Sequence, residues 1–304
     1  MTCVVVVFLD GVGLGDDDPQ VNPLAAARLP TLSWLLGGRR LVAGSGRIDA
    51  AQATMIPTDA GLGVPGRPQS ATGQTALLTG RNAPKIVGEH YGPRPNAVLR
   101  AMLEGPTLFT RLAEGRSVAF ANAFPQGYFA AVARGKRLHG AIPHAVQAAG
   151  LRLRTAEDLR AGQALSVDLT NTAWRDTMGY GDMPLWTPAA AGALLARLSA
   201  SHDLVFFDNW STDVAGHRGD LAASVQVLEQ IDAFLEGLLA TVDLEATLIA
   251  IISDHGNIED IRARGHTGNL VPTVLIGAGR QRAAESITDL THVMGALLDV
   301  VRGP

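Results

Sequence analysis

Three stretches of this chain are apolar at every position and then stop on polar residues. The first runs from Cys3 to Leu9 and ends at Asp10-Gly11. The second, Leu204 to Phe207, ends at Asp208-Asn209, and the third, Thr247 to Ile252, ends at Ser253-Asp254-His255. Continuous β-branched and aliphatic runs of this length suit strands buried on both faces of a parallel sheet. The polar residues that follow then fall at the carboxyl ends of the strands, where open α/β sheets build their sites. Val271 to Ile276 reads as a fourth strand and Ser117 to Asn122 as a fifth.

Between these runs the apolar period changes to three and four. Asp220 is placed to cap a helix over about 221–241, with Leu221, Val225, Leu228, Ile231, Leu235 and Leu238 on one face. Pro188 to Leu198 opens with a proline in a first-turn position, and Leu290 to Val301 carries a similar stripe. Alternating strands and helices predict the α/β class, with a doubly wound, mostly parallel sheet covered by helices on both faces. From about Pro84 to Trp186 the apolar runs become short and irregular. Residues 1–86 and 187–304 are therefore expected to form the core and 87–186 a small inserted cap domain, with Ser117–Asn122 the segment that could move that boundary into the core.

Composition narrows the function classes. With 25 basic against 29 acidic residues the net charge is only -4, so no whole-chain field draws nucleic acid or an anionic membrane, and any phosphate recognition must be local. The single cysteine, Cys3, lies inside the first apolar run, which excludes a disulfide framework and disfavours a thiolate metal site. The first residues lack a basic lead, and their apolar run is too short for a membrane span, so a soluble, cytoplasmic protein is expected. Composition is silent on oligomeric state.

The chemistry-bearing residues gather where the strands end. Asp213 and His217 stand four apart, one helical turn, so both can face one ion. Asp254-His255 follows a buried strand directly, with Gly265-His266-Thr267 eleven residues on; buried side chains of this kind need charged partners. Asp10 ends the first strand ahead of Gly11, Gly13 and Gly15. That glycine series fails the Gly-x-Gly-x-x-Gly spacing, and Asp16-Asp17-Asp18-Pro19 follows where a dinucleotide-binding helix should start, so Asp10 reads better as a hard oxygen ligand. Ser70 and Thr72 sit at the start of a short helical stretch ended by Gly80, where free N–H groups and the helix dipole favour an alkoxide or a bound phosphate. Either could also simply cap that helix. Three aspartates, three histidines and a hydroxyl meet the needs of a two-metal phosphoryl-transfer site. The mixed donors suit zinc, manganese or iron better than calcium or magnesium.

On these motifs the chain resembles the alkaline phosphatase superfamily, and most closely its branch holding cofactor-independent phosphoglycerate mutase and phosphopentomutase. The resemblance rests on Phe8-Leu9-Asp10-Gly11, the Ser70 segment, Asp213-x-x-x-His217, Ser253-Asp254-His255-Gly256-Asn257, and Gly265-His266-Thr267-x-Asn269-x-Val271-Pro272, in the family order. It implies that Asp213, His217 and His266 hold one divalent ion and Asp10, Asp254 and His255 a second, zinc or manganese, with Ser70 between them as the nucleophile and Thr72 as the second choice. Two departures limit the transfer. Gln74 stands where the mutases carry histidine, and the middle of the chain is much shorter than in phosphoglycerate mutase.

The expectation is a metal-dependent phosphohydrolase that acts on a small phosphorylated metabolite through a phosphoserine, with a phosphomutase as the alternative fate of the same intermediate. A phosphodiesterase remains compatible with such a metal pair, whereas a sulfatase is disfavoured because no cysteine occupies the Ser70 segment. A reading of another class is an inactive, ligand-binding relative, against which the complete ligand set argues. His90 and the basic set Arg134, Lys136, Arg137, with His139, Arg152 and Arg154, are candidates for holding the substrate's anionic groups, Arg94 and Asn122 being weaker ones. The alternative for this set is a solvated basic face.

Overall fold

The computed structural model describes residues 2–303. One seven-stranded sheet is built from β1 (Cys3–Leu9), β2 (Ile48–Asp49), β3 (Ala53–Thr58), β4 (Val118–Phe120), β5 (Leu204–Asn209), β6 (Thr247–Ile252) and β7 (Val271–Gly277), in the order β2-β3-β7-β6-β1-β5-β4. β6, β1, β5 and β4 are parallel, with β1 between β6 and β5 in a register that pairs Val6 with Ala250 and Phe206. β7, β3 and β2 are joined on by antiparallel pairing.

The all-apolar runs are explained by burial on both faces. Val4, Val6 and Phe8 enter one core layer with the helices Ser70–Thr79, Ala97–Leu103, Leu108–Ala113, Ala141–Ala148 and Leu290–Arg302. Val5, Val7 and Leu9 enter the other, with Pro188–Ser199 and Leu221–Leu239. Each fully buried side chain of this size contributes about 1.5–3 kcal/mol. The helices Pro188–Ser199 and Leu221–Leu239 touch backbone to backbone. A methyl at Gly192 would lie 1.9 Å from Phe234 O, and one at Gly237 would lie 1.9 Å from Ala189 O.

Two features depart from the pattern read in the sequence. β2 and β3 give no periodic signal, because β3 is interrupted by Pro57, which faces Pro272 of β7. Two residues without an N–H fit opposite one another only where the antiparallel ladder needs no bond. Second, the segment expected to be either cap or core, Ser117–Asn122, supplies β4 on the sheet edge beside β5. The helices from Ala97 to Ala113 and Ala141–Ala148 bury into the same layer as β1, so core packing extends into the span 87–186. A separate small cluster is formed by Ala123, Ala156, Leu159, Ala164, Trp174 and Met183.

Candidate metal centre

The polar residues after β1, β5 and β6 meet at one end of the sheet. Asp10 follows β1 directly. β5 leads through Trp210 into the helix Ser211–Arg218, whose first and last turns carry Asp213 and His217. Asp254 and His255 follow β6, and His266 lies on the loop before β7. Two ligand groups result, Asp213-His217-His266 and Asp10-Asp254-His255, and within each the donor atoms lie within 4.8 Å of one another. His217 Nε2 is 3.3 Å from Asp213 Oδ2, and His266 Nε2 is 3.7 Å from Asp213 Oδ1. His255 Nε2 is 3.2 Å from Asp10 Oδ1 and 3.6 Å from Asp254 Oδ2. The two groups adjoin, with the rings of His255 and His266 stacked at 3.6 Å.

The electrostatics are those of a site shaped for cations. Burial, reinforced by Asp10, raises Asp254 well above the carboxylate range. Burial works against a charge on His255, yet Asp254 and Asp10 around it push it up to about 10. Asp10 Oδ1 is buried and finds no hydrogen bond of acceptable geometry. An orphaned carboxylate oxygen among buried carboxylates and imidazoles fits a divalent cation, and the mixed oxygen and nitrogen donors suit a zinc- or manganese-type ion.

His266 Nδ1 lies 2.8 Å from Pro68 O, a contact that turns Nε2 toward Asp213. Ser70 begins the helix Ser70–Thr79, is 8% exposed, and its Oγ lies 3.0 Å from His255 Nε2. Thr72 faces elsewhere. Its hydroxyl donates toward Gln69 O at 3.1 Å or Tyr91 O at 3.3 Å and accepts from Tyr91 N at 3.1 Å. Gly73 lets the helix approach β6, since a methyl there would lie 2.8 Å from Asp254 O.

The candidate substrate residues divide. Arg154 is buried and donates to the Phe120 and Gln163 carbonyls, and Arg152 is paired with Asp158 at 2.6 Å, so both are bound into the fold. His90 Nε2 lies 3.2 Å from Val64 O. Asn122 clamps the backbone of Asp208, donating to its carbonyl at 2.6 Å and accepting from its N–H at 2.8 Å. Arg134, Lys136 and Arg137 are exposed on the turn after the helix Gln126–Ala133. Arg137 lies over the Tyr128 ring, 4.9 Å from its centroid; the Tyr128 hydroxyl is 2.6 Å from His139 Nδ1, and Arg94 donates to Leu138 O at 3.2 Å. Burial pushes the Tyr128 phenol up to about 12 against the pull of Arg137 and Arg94, with Asp208 adding to the rise.

Four residues of the site are not singled out as functional by the sequence, although Asp208, Gln74 and Asn257 lie in segments that it marks. Asp208 is buried at the end of β5, and burial together with Asp10 and Asp254 raises it well above the carboxylate range. Its position right after an apolar run was the available clue. Gln74 donates to Asp10 Oδ2 at 3.3 Å and Asp254 Oδ2 at 3.1 Å, joining two ligand carboxylates. Asn257 donates to Asp213 Oδ1 at 2.6 Å, and Glu259 is buried beside it.

Comparison with known proteins bears on the fold and on one segment of the chain. Residues 188–301 match the model of the Metalloenzyme superfamily. A 2,3-bisphosphoglycerate-independent phosphoglycerate mutase of Rhodopseudomonas palustris is 28% identical over 115 residues, which cover 36% of this chain and 23% of that one. The match thus spans about a quarter of that relative's length. Among solved structures, a Pyrococcus horikoshii protein superposes with a TM-score of 0.60 at 16% identity, covering 99% of this chain and 97% of that one. A cold-active alkaline phosphatase of a Shewanella species superposes at 0.57 with 12% identity, covering 98% and 99%. These likenesses establish the fold. Five of the six expected metal ligands lie inside residues 188–301, the segment that matches the Metalloenzyme superfamily model, and the α/β core has the fold of the Shewanella alkaline phosphatase.

Proposed function

We propose that this chain is a metal-dependent phosphohydrolase of small phosphorylated metabolites, with Ser70 as the nucleophile. The observation that carries the reading is the position of the Ser70 hydroxyl, at a helix start and 3.0 Å from His255 Nε2, where the two ligand groups adjoin. Asp213, His217 and His266 would hold one zinc or manganese ion and Asp10, Asp254 and His255 the other. Such a pair supplies Lewis acidity toward the phosphoryl oxygens and the attacking hydroxyl. Ser70 Oγ attacks phosphorus, the ester oxygen leaves as the alcohol, and water then cleaves the phosphoserine. The N–H groups of Ser70 and Ala71 have no carbonyl acceptor among the described residues, so the helix start can favour the developing negative charge.

The substrate would be met by the span 87–186, parts of which also pack into the core, and Arg94 and Arg137 around Tyr128 would take the substrate's remaining anionic group. A phosphomutase is the second reading, favoured by the curated mutase relative; there the phosphoserine returns its phosphoryl group to another hydroxyl before water enters.

The test is metal analysis together with phosphate release from phosphomonoesters, phosphodiesters and sugar phosphates in added manganese or zinc. Two ions per chain with release of phosphate from monoesters is the expected result. Ser70→Ala should abolish turnover and leave metal content unchanged, whereas full activity in that variant would remove Ser70 from the mechanism. Isomerisation of a sugar phosphate without release would select the mutase, and a protein that binds no metal would overturn both readings.

A further inference from the structure

The glycines after β1 match no nucleotide-binding pattern, and their reason lies in one buried side chain. Glu259 is 1% exposed, and its carboxylate collects four neutral donors, two on each oxygen. Oε2 accepts from Gly13 N at 2.9 Å and Asn257 N at 2.7 Å; Oε1 accepts from the Thr267 hydroxyl and from Asn269 Nδ2 at 3.0 Å. Among the described residues no cation pairs with it. Three glycines make room for it. A methyl at Gly13 or at Gly256 would lie 2.2 Å from Glu259 Oε1, and one at Gly15 would lie 2.7 Å from Glu259 O.

The donors come from two loops, the one after β1 and the one between β6 and β7, and both carry metal-ligand candidates. Gly13 lies on the loop of Asp10, Asn257 on that of Asp254 and His255, and Thr267 and Asn269 follow His266. The third ligand-bearing element, the helix Ser211–Arg218, is reached through Asn257, whose Nδ2 donates to Asp213 Oδ1 at 2.6 Å. One carboxylate therefore connects the elements bearing both ligand groups, while touching none of the ligand atoms. Backbone bonds already join these segments, Ile258 N to Gly11 O at 3.0 Å, Leu14 N to Leu270 O at 2.8 Å and Thr267 N to Gly256 O at 2.9 Å, and the shared buried acceptor locks the same junction from its side-chain face.

We infer that Glu259 is the positioning residue for both metal sites, holding the Asp10 loop against the β6–β7 loop and folding that loop back so that Asp254-His255 and His266 stand in binding register, within a cradle of Gly13, Gly15 and Gly256. The inference rests on the reading of the two ligand groups as metal sites. Glutamine at 259 can keep the clasp, because its carbonyl can take the two backbone N–H groups while its amide faces the rotatable Thr267 hydroxyl and a flipped Asn269. Alanine cannot.

The experiment is Mn²⁺ binding by equilibrium dialysis, with the absorption spectrum of the Co²⁺-loaded protein, for the wild type, Glu259→Ala, Glu259→Gln and Gly13→Ala. Wild type should bind two ions. Glu259→Ala should lose about 10–100-fold in affinity, the usual range when groups that orient ligands are removed, with an altered Co²⁺ spectrum. Glu259→Gln should stay within a few-fold of wild type, and Gly13→Ala, which drives a methyl into the carboxylate, should repeat the loss. If Glu259→Ala does not fold, Gly13→Ala decides by the same measure. Wild-type affinity and spectrum in the folded alanine variants would overturn the role of Glu259 while leaving the metal reading intact. A wild-type chain that binds no Mn²⁺ would instead remove the metal reading, and this inference with it.

Discussion

Gln74 offers a quantitative test of how the carboxylate cluster is held together. Its amide donates to Asp254 Oδ2 at 3.1 Å and Asp10 Oδ2 at 3.3 Å. Asp254 is fully buried, and its other oxygen receives only the Gly11 N–H, at 3.4 Å. In Gln74→Leu the side-chain volume is nearly kept, so the main change is the loss of that donor. A buried acceptor left without its partner costs about 1–3 kcal/mol. For a chain of 304 residues, at about 2.1 cal/mol/K per residue, the unfolding entropy is near 0.6 kcal/mol/K, so the melting temperature should fall by about 2–5 °C. The assay is calorimetry in excess chelator and then in saturating Mn²⁺. In chelator the full drop is expected; with Mn²⁺ the gap should narrow, because the cation takes over as partner to the carboxylates. Gln74→Glu, which adds another carboxylate to the cluster, should lower the chelated melting temperature further than Gln74→Leu. A chelated Gln74→Leu protein that melts within about 1 °C of wild type would refute the argument.

Other consequences can be checked separately. Asp213→Asn should reduce metal content toward one ion per chain, since both histidines of its group lie within 3.7 Å of its carboxylate; an unchanged content would reject that group as a ligand set. Gly192→Ala, which in an open helix gains about 1 kcal/mol, should here destabilise by about 1–3 kcal/mol, because the methyl meets Phe234 O; denaturant unfolding reads the sign. The Arg152 guanidinium hydrogen-bonded to Asp158 lowers its carboxyl to about 2, so its contribution to stability is present above the ordinary carboxylate range and is lost as pH falls through about 2. Carboxyl-carbon NMR should show the Asp158 midpoint rising toward about 3.9 in Arg152→Ala. Arg137→Ala should raise KM for the phosphorylated substrate with little change in kcat, and an unchanged KM would assign Arg137 to a solvated face.

The chain itself determines the strands that are buried on both sides and the residues that end them. A strand covered by helices on each face must be apolar at every position, so β1, β5 and β6 are visible as unbroken runs, and the polar residues that stop them mark the site. The helices Leu221–Leu239 and Leu290–Arg302 are legible for the same reason, since each turns one stripe to the core. Tertiary structure decided what has no period. β3 is concealed by Pro57 and becomes a strand only through its pairing with β7. The short helices from Ala97 to Ala148 resemble an insertion until their few buried residues are found in the layer beside β1. Among the site residues, those on strand ends and at helical spacing can be named from sequence, whereas Gln74 gains its role only from Asp10 and Asp254, 64 and 180 positions away, and Glu259 in part from Gly13, 246 positions away. A buried carboxylate whose donors are a backbone N–H from the loop after β1 and groups that meet only when the β6–β7 loop folds back on itself has no periodic signature, because the fold brings those groups together.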